Sequence, residues 1–166
     1  MTIRLLLLDV DGVMTDGTKA YNEDHEVISK RYCDLDFTAI RRFMASDVHV
    51  VLVSGDRFNI GMANKRSIPI IISRDKIKEL PSLMKKFDTS YDDTAFVGDD
   101  LFDKGIMEGC KYRFCPNNSP QTLKMICTDV INRHGGDGAV AELYDMCIRK
   151  ELVTPAPLVD IQDWHS

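Results

Sequence analysis

Apolar and polar residues along this chain fall in blocks. Leu5 to Leu8, flanked by Ile3 and Val10, form an uninterrupted apolar run that stops among acids. A strand that is apolar on both faces belongs inside a parallel sheet. Residues 48–53, 68–72 and 94–97 read the same way, and 112–115 and 129–131 are shorter candidates. Helical spacing appears between these runs. Phe37, Ile40, Phe43 and Met44 share one face, as do Leu80, Leu83, Met84 and Phe87. Pro81 suits only a first turn, which predicts a helix starting near Glu79. Residues 101–108 read as a helix stopped by Gly109. Residues 118–126, with Pro120 in the first turn, read as another, and 139–150 present Val140, Leu143, Tyr144 and Cys147 on one side. Strands alternating with helices predict an α/β fold with a doubly wound, mostly parallel sheet. Residues 18–31 break the alternation and predict a β-hairpin, turning at Glu23-Asp24, between the first strand and the first helix. Residues 1–150 read as one domain, and 151–166, with two prolines and Trp164, as an extended tail.

The length of 166 residues fits one domain, large enough to fold without a disulfide or a structural metal. Hydrophobic residues at 44% and charged residues at 28% argue against disorder. Lys and Arg total 21 against 26 Asp and Glu, a net charge of -5 that disfavours an electrostatic hold on nucleic acid. The apolar runs are too short for a membrane span or a signal peptide, so the expectation is a cytoplasmic protein. Five cysteines without a C-x-x-C pair read as free thiols in a reducing compartment. The four histidines are scattered, so any metal must be held by carboxylates.

Those carboxylates stand at strand ends, where open α/β sheets bind ligands. Asp9 and Asp11 close the first strand, followed by Gly12, which allows a sharp turn and close approach to a ligand. Asp99, Asp100 and Asp103 follow the strand at 94–97. Asp100 as an N-cap and Asp103 as a first-turn acid would be ordinary helix chemistry. Capping leaves Asp99 unexplained, along with the second acid cluster at another strand end. Two sets of hard oxygen donors without His or Cys suit Mg²⁺. Ser54, Gly55 and Asp56 end a third strand, where a hydroxyl beside a glycine can donate to a phosphoryl oxygen or simply make a turn. Lys76 or Lys78 can place an ammonium near an anion, or can be a surface lysine.

Taken together, the sets resemble the four motifs of the haloacid dehalogenase-like phosphohydrolases. Asp9-Val10-Asp11-Gly12-Val13 resembles the first, Ser54 the second, Lys76 the third, and Gly98-Asp99-Asp100 with Asp103 the fourth. The stretches 9–17, 97–103 and 135–143 and the hairpin are similar to the capless sugar-acid phosphatases, which act on 3-deoxy-D-manno-octulosonate 8-phosphate and its nine-carbon relatives. The resemblance spans residues 3–150 and leaves no room for a cap domain. It implies an aspartyl-phosphate route with Asp9 as nucleophile, Asp11 as acid and base, and Ser54 and Lys76 on the transferring oxygens. It implies Mg²⁺ held by Asp9, Asp99 and the Asp11 carbonyl, with Asp100 and Asp103 orienting the shell. It also implies a homotetramer in which neighbouring subunits cover each other's sites.

Three positions depart from the pattern. Ser54 replaces the commoner Thr, Phe37 follows Asp36 where Gly is usual, and Asp56 stands where octulosonate enzymes tend to have Arg. An acid at 56 is expected to repel a sugar carboxylate, or to accept from sugar hydroxyls, or to pair with Lys65 or Arg57. The nine-carbon relatives tend to carry an acid at this position, so the resemblance tilts the expectation toward the nine-carbon substrate, with Gly12, Gly55, Asp56 and Lys65 as substrate contacts. Two other readings stay open: a receiver-like phospho-accepting domain built on Asp56 and Lys104, and a non-catalytic member that only binds partners.

Overall fold

A computed structural model describes residues 2–157. In chain order it runs β1 (Leu5–Leu8), β2 (Ala20–Tyr21), β3 (Val27–Ser29), α1 (Asp34–Ala45), β4 (His49–Ser54), α2 (Asn59–Lys65), β5 (Ile70–Ile72), α3 (Lys76–Lys86), β6 (Thr94–Val97), α4 (Lys104–Glu108), β7 (Tyr112–Pro116), α5 (Gln121–Lys124), β8 (Asp129–Ile131) and α6 (Ala139–Arg149). Six strands form one sheet in the order β5-β4-β1-β6-β7-β8, and every pairing in it is parallel.

The leucine run of β1 lies at the centre because both of its faces are covered. Leu6 and Leu8 join Val50, Leu52, Ala95 and Val97 under α1 and α6, where Phe43 meets Tyr144 edge-on. Leu5 and Leu7 join Val51, Val53 and Phe96 under α3 and α4. All four leucines are fully buried. Truncating one to Ala would cost about 2–5 kcal/mol.

The chain leaves β1 for β4 and β5 on one side, then returns to β6 on the other side of β1. This reversal opens a crevice at the carboxyl ends of β1, β4 and β6, the place where such sheets bind ligands. The β2–β3 hairpin stands over it. It is shorter than the 18–31 expected, with an irregular register at Ala20 and Tyr21. Asn22 closes its turn by accepting from the amides of Asp24 and Glu26.

Three helices differ from expectation. The helix α3 starts at Lys76, not near Glu79, so Pro81 lies in its second turn. Pro81 and Ile77, four residues before it, are both exposed, so the helix carries the proline on its outer face. The short α5 covers only part of 118–126, and 101–103 form a 3₁₀ turn ahead of α4. Leu152 and Val153, expected in an extended tail, pack on the domain. The Leu152 carbonyl accepts from Ile3 N at 2.9 Å, and Val153 is buried. The remainder of the tail from 158 on, with Trp164, lies outside the described residues.

Candidate active site

Asp9 follows β1 and is almost wholly buried. Lys76, the first residue of α3, reaches it from the far side of the crevice. The Lys76 ammonium is 2.9 Å from Asp9 Oδ1 and 2.7 Å from Asp103 Oδ1. Asp103 also accepts from Asp99 N at 3.1 Å through its other oxygen, so the 3₁₀ turn folds back on the end of β6. One carboxylate oxygen each from Asp9, Asp99 and Asp103 lies within 4.8 Å of the others, a spacing that suits a shared cation. The electrostatics ask for one. Burial, then the charge of Asp103, push the Asp9 carboxyl well above the usual range, with Lys76 opposing. Burial pushes Asp99 up to about 6; the hydrogen bond with Asp9 opposes this, and the charges of Asp103 and Asp100 add to it. Lys76 is raised in spite of burial because Asp9 and Asp103 flank it. Gly12, at φ +86°, lets this cluster close: a Cβ there would lie 1.7 Å from Asp99 Oδ2.

Asp11 faces a different set of partners. Its Oδ1 accepts from Lys30 Nζ at 2.7 Å and its Oδ2 from Asn59 Nδ2 at 3.1 Å. Lys30 comes from just after β3, and its side chain has no exposed area. The same ammonium lies 2.8 Å from Asp56 Oδ2, which Lys19 also reaches at 3.1 Å. Partial burial would raise Asp56. The bonds from Lys30, Phe58 N and Lys19 outweigh it and hold this carboxyl below the usual range. Ser54 Oγ accepts from Asp56 N at 3.0 Å and Asn59 Nδ2 at 2.9 Å. Asp11, Asp56 and Lys19 border a crevice of about 770 Å³ that is also lined by Asp9, Gly55, Arg74, Lys76, Asp99, Asp103 and Phe102, among others; Ser54, Asn59 and the Lys30 side chain lie buried just behind its wall.

The crevice thus brings together most of the residues expected from the sequence. Lys76 rather than Lys78 enters it; Lys78 is exposed. Asp100 lines the crevice but turns its carboxylate to its own turn, accepting from Leu101 N at 2.7 Å, and so stands outside the converging triad. Lys65 does not reach the crevice. It sits exposed in the last turn of α2, roughly 9 Å along the axis from Asn59. The cations on Asp56 are Lys19 and Lys30, not Lys65 or Arg57. Lys19 and Lys30 offset the charge of Asp56, which weakens the repulsion expected from it, although Lys30 is shared with Asp11. The receiver-like pairing is also absent: Lys104 lies 3.8 Å from Glu108 on the surface of α4. Sequence reasoning missed Lys19, Lys30, Tyr32 and Asn59. Their positions carry no spacing signal, since the hairpin and α2 meet the crevice only after folding.

A family model described as haloacid dehalogenase-like hydrolase matches residues 70–143. The chain is 29% identical over 153 residues to the 3-deoxy-D-manno-octulosonate 8-phosphate phosphatase of Haemophilus influenzae, covering 90% of this chain and 84% of that protein. The cobalt-bound structure of the Haemophilus influenzae enzyme superposes with a TM-score of 0.83 at 29% identity, covering 89% of this chain and 88% of that one. The fold is also that of the Moraxella catarrhalis 3-deoxy-D-manno-octulosonate 8-phosphate phosphatase in complex with magnesium, phosphate and its sugar acid. That match has a TM-score of 0.81 at 24% identity and covers 89% and 86% of the two chains. With the acids of β1 and β6 meeting Lys76 at the reversal point of such a sheet, and with a hairpin standing over the crevice, the chain is similar to the haloacid dehalogenase-like hydrolases in both sequence and fold.

Proposed function

We propose that the protein is a metal-dependent phosphatase acting on a phosphorylated keto-deoxy sugar acid. The observation that carries this reading is the division of labour between Asp9 and Asp11. Asp9 faces Lys76 and two further carboxylates, whereas Asp11 faces Lys30 and Asn59. One acid is thereby set up as nucleophile and the other as proton carrier.

An Asp9 oxygen attacks phosphorus and the bond to the sugar oxygen breaks, leaving an aspartyl-phosphate. Asp11 delivers its proton to the departing oxygen. It then takes a proton from water, whose oxygen attacks the same phosphorus and releases Asp9 with inorganic phosphate. Lys76 favours the ionised form of Asp9 against its burial and offsets charge on the transferring oxygens, to which Ser54 also donates. Asp9, Asp99 and Asp103 fit a hard divalent cation because all their donors are oxygens and the single ammonium of Lys76 offsets only part of their mutual repulsion. Mg²⁺ is the proposed ion, and when bound it supplies charge neutralisation to an anionic nucleophile meeting a phosphate. Asp100, accepting from Leu101 N, supports the turn that presents Asp103.

The names of the relatives support the eight-carbon substrate over the nine-carbon one, and Asp56, its charge offset by Lys19 and Lys30, argues less strongly against a nearby carboxylate. The test is phosphate release from octulosonate 8-phosphate and nonulosonate 9-phosphate by wild type, Asp9→Asn and Asp56→Arg. Wild type should prefer the eight-carbon ester, and Asp9→Asn should be inactive while still folded. Full turnover by Asp9→Asn would refute the reading.

We also propose that the crevice is completed by a second copy of the chain, in a homotetramer. Phe102, on the crevice rim, is 92% exposed, and Tyr21 and Ile28 expose apolar area on the hairpin. Light scattering at assay concentration should give an assembly; an active monomer would refute it.

A further inference from the structure

Asn59 opens α2 and has no exposed area. Its amide makes four polar contacts. Nδ2 donates to Ser54 Oγ at 2.9 Å and to Asp11 Oδ2 at 3.1 Å. Oδ1 accepts from Tyr32 OH at 2.9 Å and Lys30 Nζ at 3.1 Å. A carboxamide has two N–H donors and two acceptor positions, so this one is saturated. Its orientation is also fixed by charge. Turned over, it would set its oxygen against the Asp11 carboxylate and its N–H groups against the Lys30 ammonium.

Ser54 inherits a direction from this arrangement. Its Oγ accepts from Asn59 Nδ2 and from Asp56 N. A hydroxyl has two acceptor positions and one hydrogen, so Ser54 has only its O–H left to give. The nearby Asp56 carbonyl, at 3.5 Å, is a poor taker. We propose that Asn59 is a positioning residue that makes Ser54 a one-way donor toward a phosphoryl oxygen and holds Asp11 in a single orientation beside it. One amide therefore keeps the phosphoryl-binding hydroxyl and the proton carrier in register. Lys30 and Tyr32, arriving from the hairpin side, hold the amide in turn. The inference rests on the phosphatase reading above.

The experiment compares Asn59→Asp and Asn59→Ala with wild type on octulosonate 8-phosphate and p-nitrophenyl phosphate. Asn59→Asp keeps the shape but replaces the donating nitrogen with an oxygen, which draws the Ser54 hydrogen inward and faces Asp11 with a second carboxylate. With the sugar phosphate, kcat should fall about 10²-fold, the scale of losing one oriented donor, with KM little changed. The fall should be smaller with p-nitrophenyl phosphate, whose leaving oxygen needs little protonation. In a Ser54→Ala background the same substitution should cost far less, because the hydroxyl it orients is gone. Should the Asn59 variants fail to fold, Tyr32→Phe, which removes only one hydroxyl, carries the same cycle with a smaller loss. A folded Asn59→Asp with wild-type kcat, or losses that simply add to those of Ser54→Ala, would overturn the positioning role. Asp9→Asn run in parallel separates the two failures: if it is inactive while Asn59→Asp is not, only the positioning role falls.

Discussion

The Lys76 ammonium lies 2.9 Å from Asp9 Oδ1, joining the first residue of α3 to the acid that ends β1 across the crevice. It is the close countercharge that opposes the upward push of burial and Asp103 on the Asp9 carboxyl, and so favours the ionised form that the proposed nucleophile needs. Lys76→Met should reduce kcat by about 10²–10³-fold, as expected for loss of a preorganised cation at the transferring group. Raising the metal concentration should recover only a small part of this, because a second cation cannot take the place of the ammonium. Steady-state kinetics at saturating Mg²⁺ measure it, and a loss below tenfold would contradict the role.

Metal binding should weaken sharply on acidification. Asp99, raised to about 6 by burial, with the charges of Asp103 and Asp100 adding and the Asp9 bond opposing, binds a proton where a free aspartate would not. Protons then compete with the cation below about pH 6. The sign for the metal-free protein follows. A raised folded pKa makes the contribution of Asp99 to stability greatest below the unfolded value and erodes it as pH rises through 6. Added Mg²⁺ should therefore raise Tm clearly at pH 7.5 and much less at pH 5. Equal shifts at both pH values would rule this out.

The strands and acids were legible in the sequence for one reason: β1, β4 and β6 are covered on both faces. Their apolar runs are interrupted only by His49 in β4 and by Thr94 at the start of β6, and the residues that follow them fall at the crevice. Asp9, Asp11, Ser54 and Asp99 could be placed from that alone, and Lys76 from the family pattern. The α2 helix was not legible, because only Asn59 and Ala63 of it are buried and they make no apolar stripe. Lys30 and Tyr32 matter through contacts with residues 19–29 positions away, which no local periodicity announces. The start of α3 was misjudged because a proline is costly mainly in a buried helix interior, and Pro81 sits on the exposed face of α3.

Two glycines should respond differently to Ala. At Gly12 the φ of +86° and a Cβ 1.7 Å from Asp99 Oδ2 predict strain and a displaced Asp99. The strain is about 1–3 kcal/mol, so the fold should survive while metal-dependent turnover is largely lost. At Gly135 a Cβ would lie 1.8 Å from the Gly12 carbonyl oxygen, a backbone atom that cannot swing aside. Gly135→Ala should therefore lower Tm more than Gly12→Ala. Thermal melts of both, read beside activity, check the order, and the reverse order would contradict it.

Asp36 supplies a helix cap from a distance. The α6 helix begins at a left-handed Gly138 without a side-chain cap of its own. Asp36, fully buried on α1, fills the gap: its Oδ1 accepts from Val140 N at 3.0 Å and Ala141 N at 3.1 Å. Its Oδ2 has no partner. Burial raises this carboxyl to about 6, against the two N–H bonds and with a further push from Asp137. The folded state therefore holds the Asp36 proton more tightly than the unfolded chain does. Its contribution to stability is fullest below about pH 4, declines as pH rises toward 6, and is flat above. Asp36→Asn keeps an accepting oxygen for the α6 amides and cannot ionise, so the difference between wild type and variant isolates this group from Asp9 and Asp99, which slope the same way. Wild type should gain on the variant by about 1–3 kcal/mol on going from pH 7 to pH 4. At about 2–4 °C per kcal/mol for a domain of this size, that is a relative Tm change of several degrees. A Tm difference that stays constant between pH 4 and 7 would mean that Asp36 titrates as an ordinary aspartate, with its burial fully offset by the two α6 amides, and would overturn this prediction.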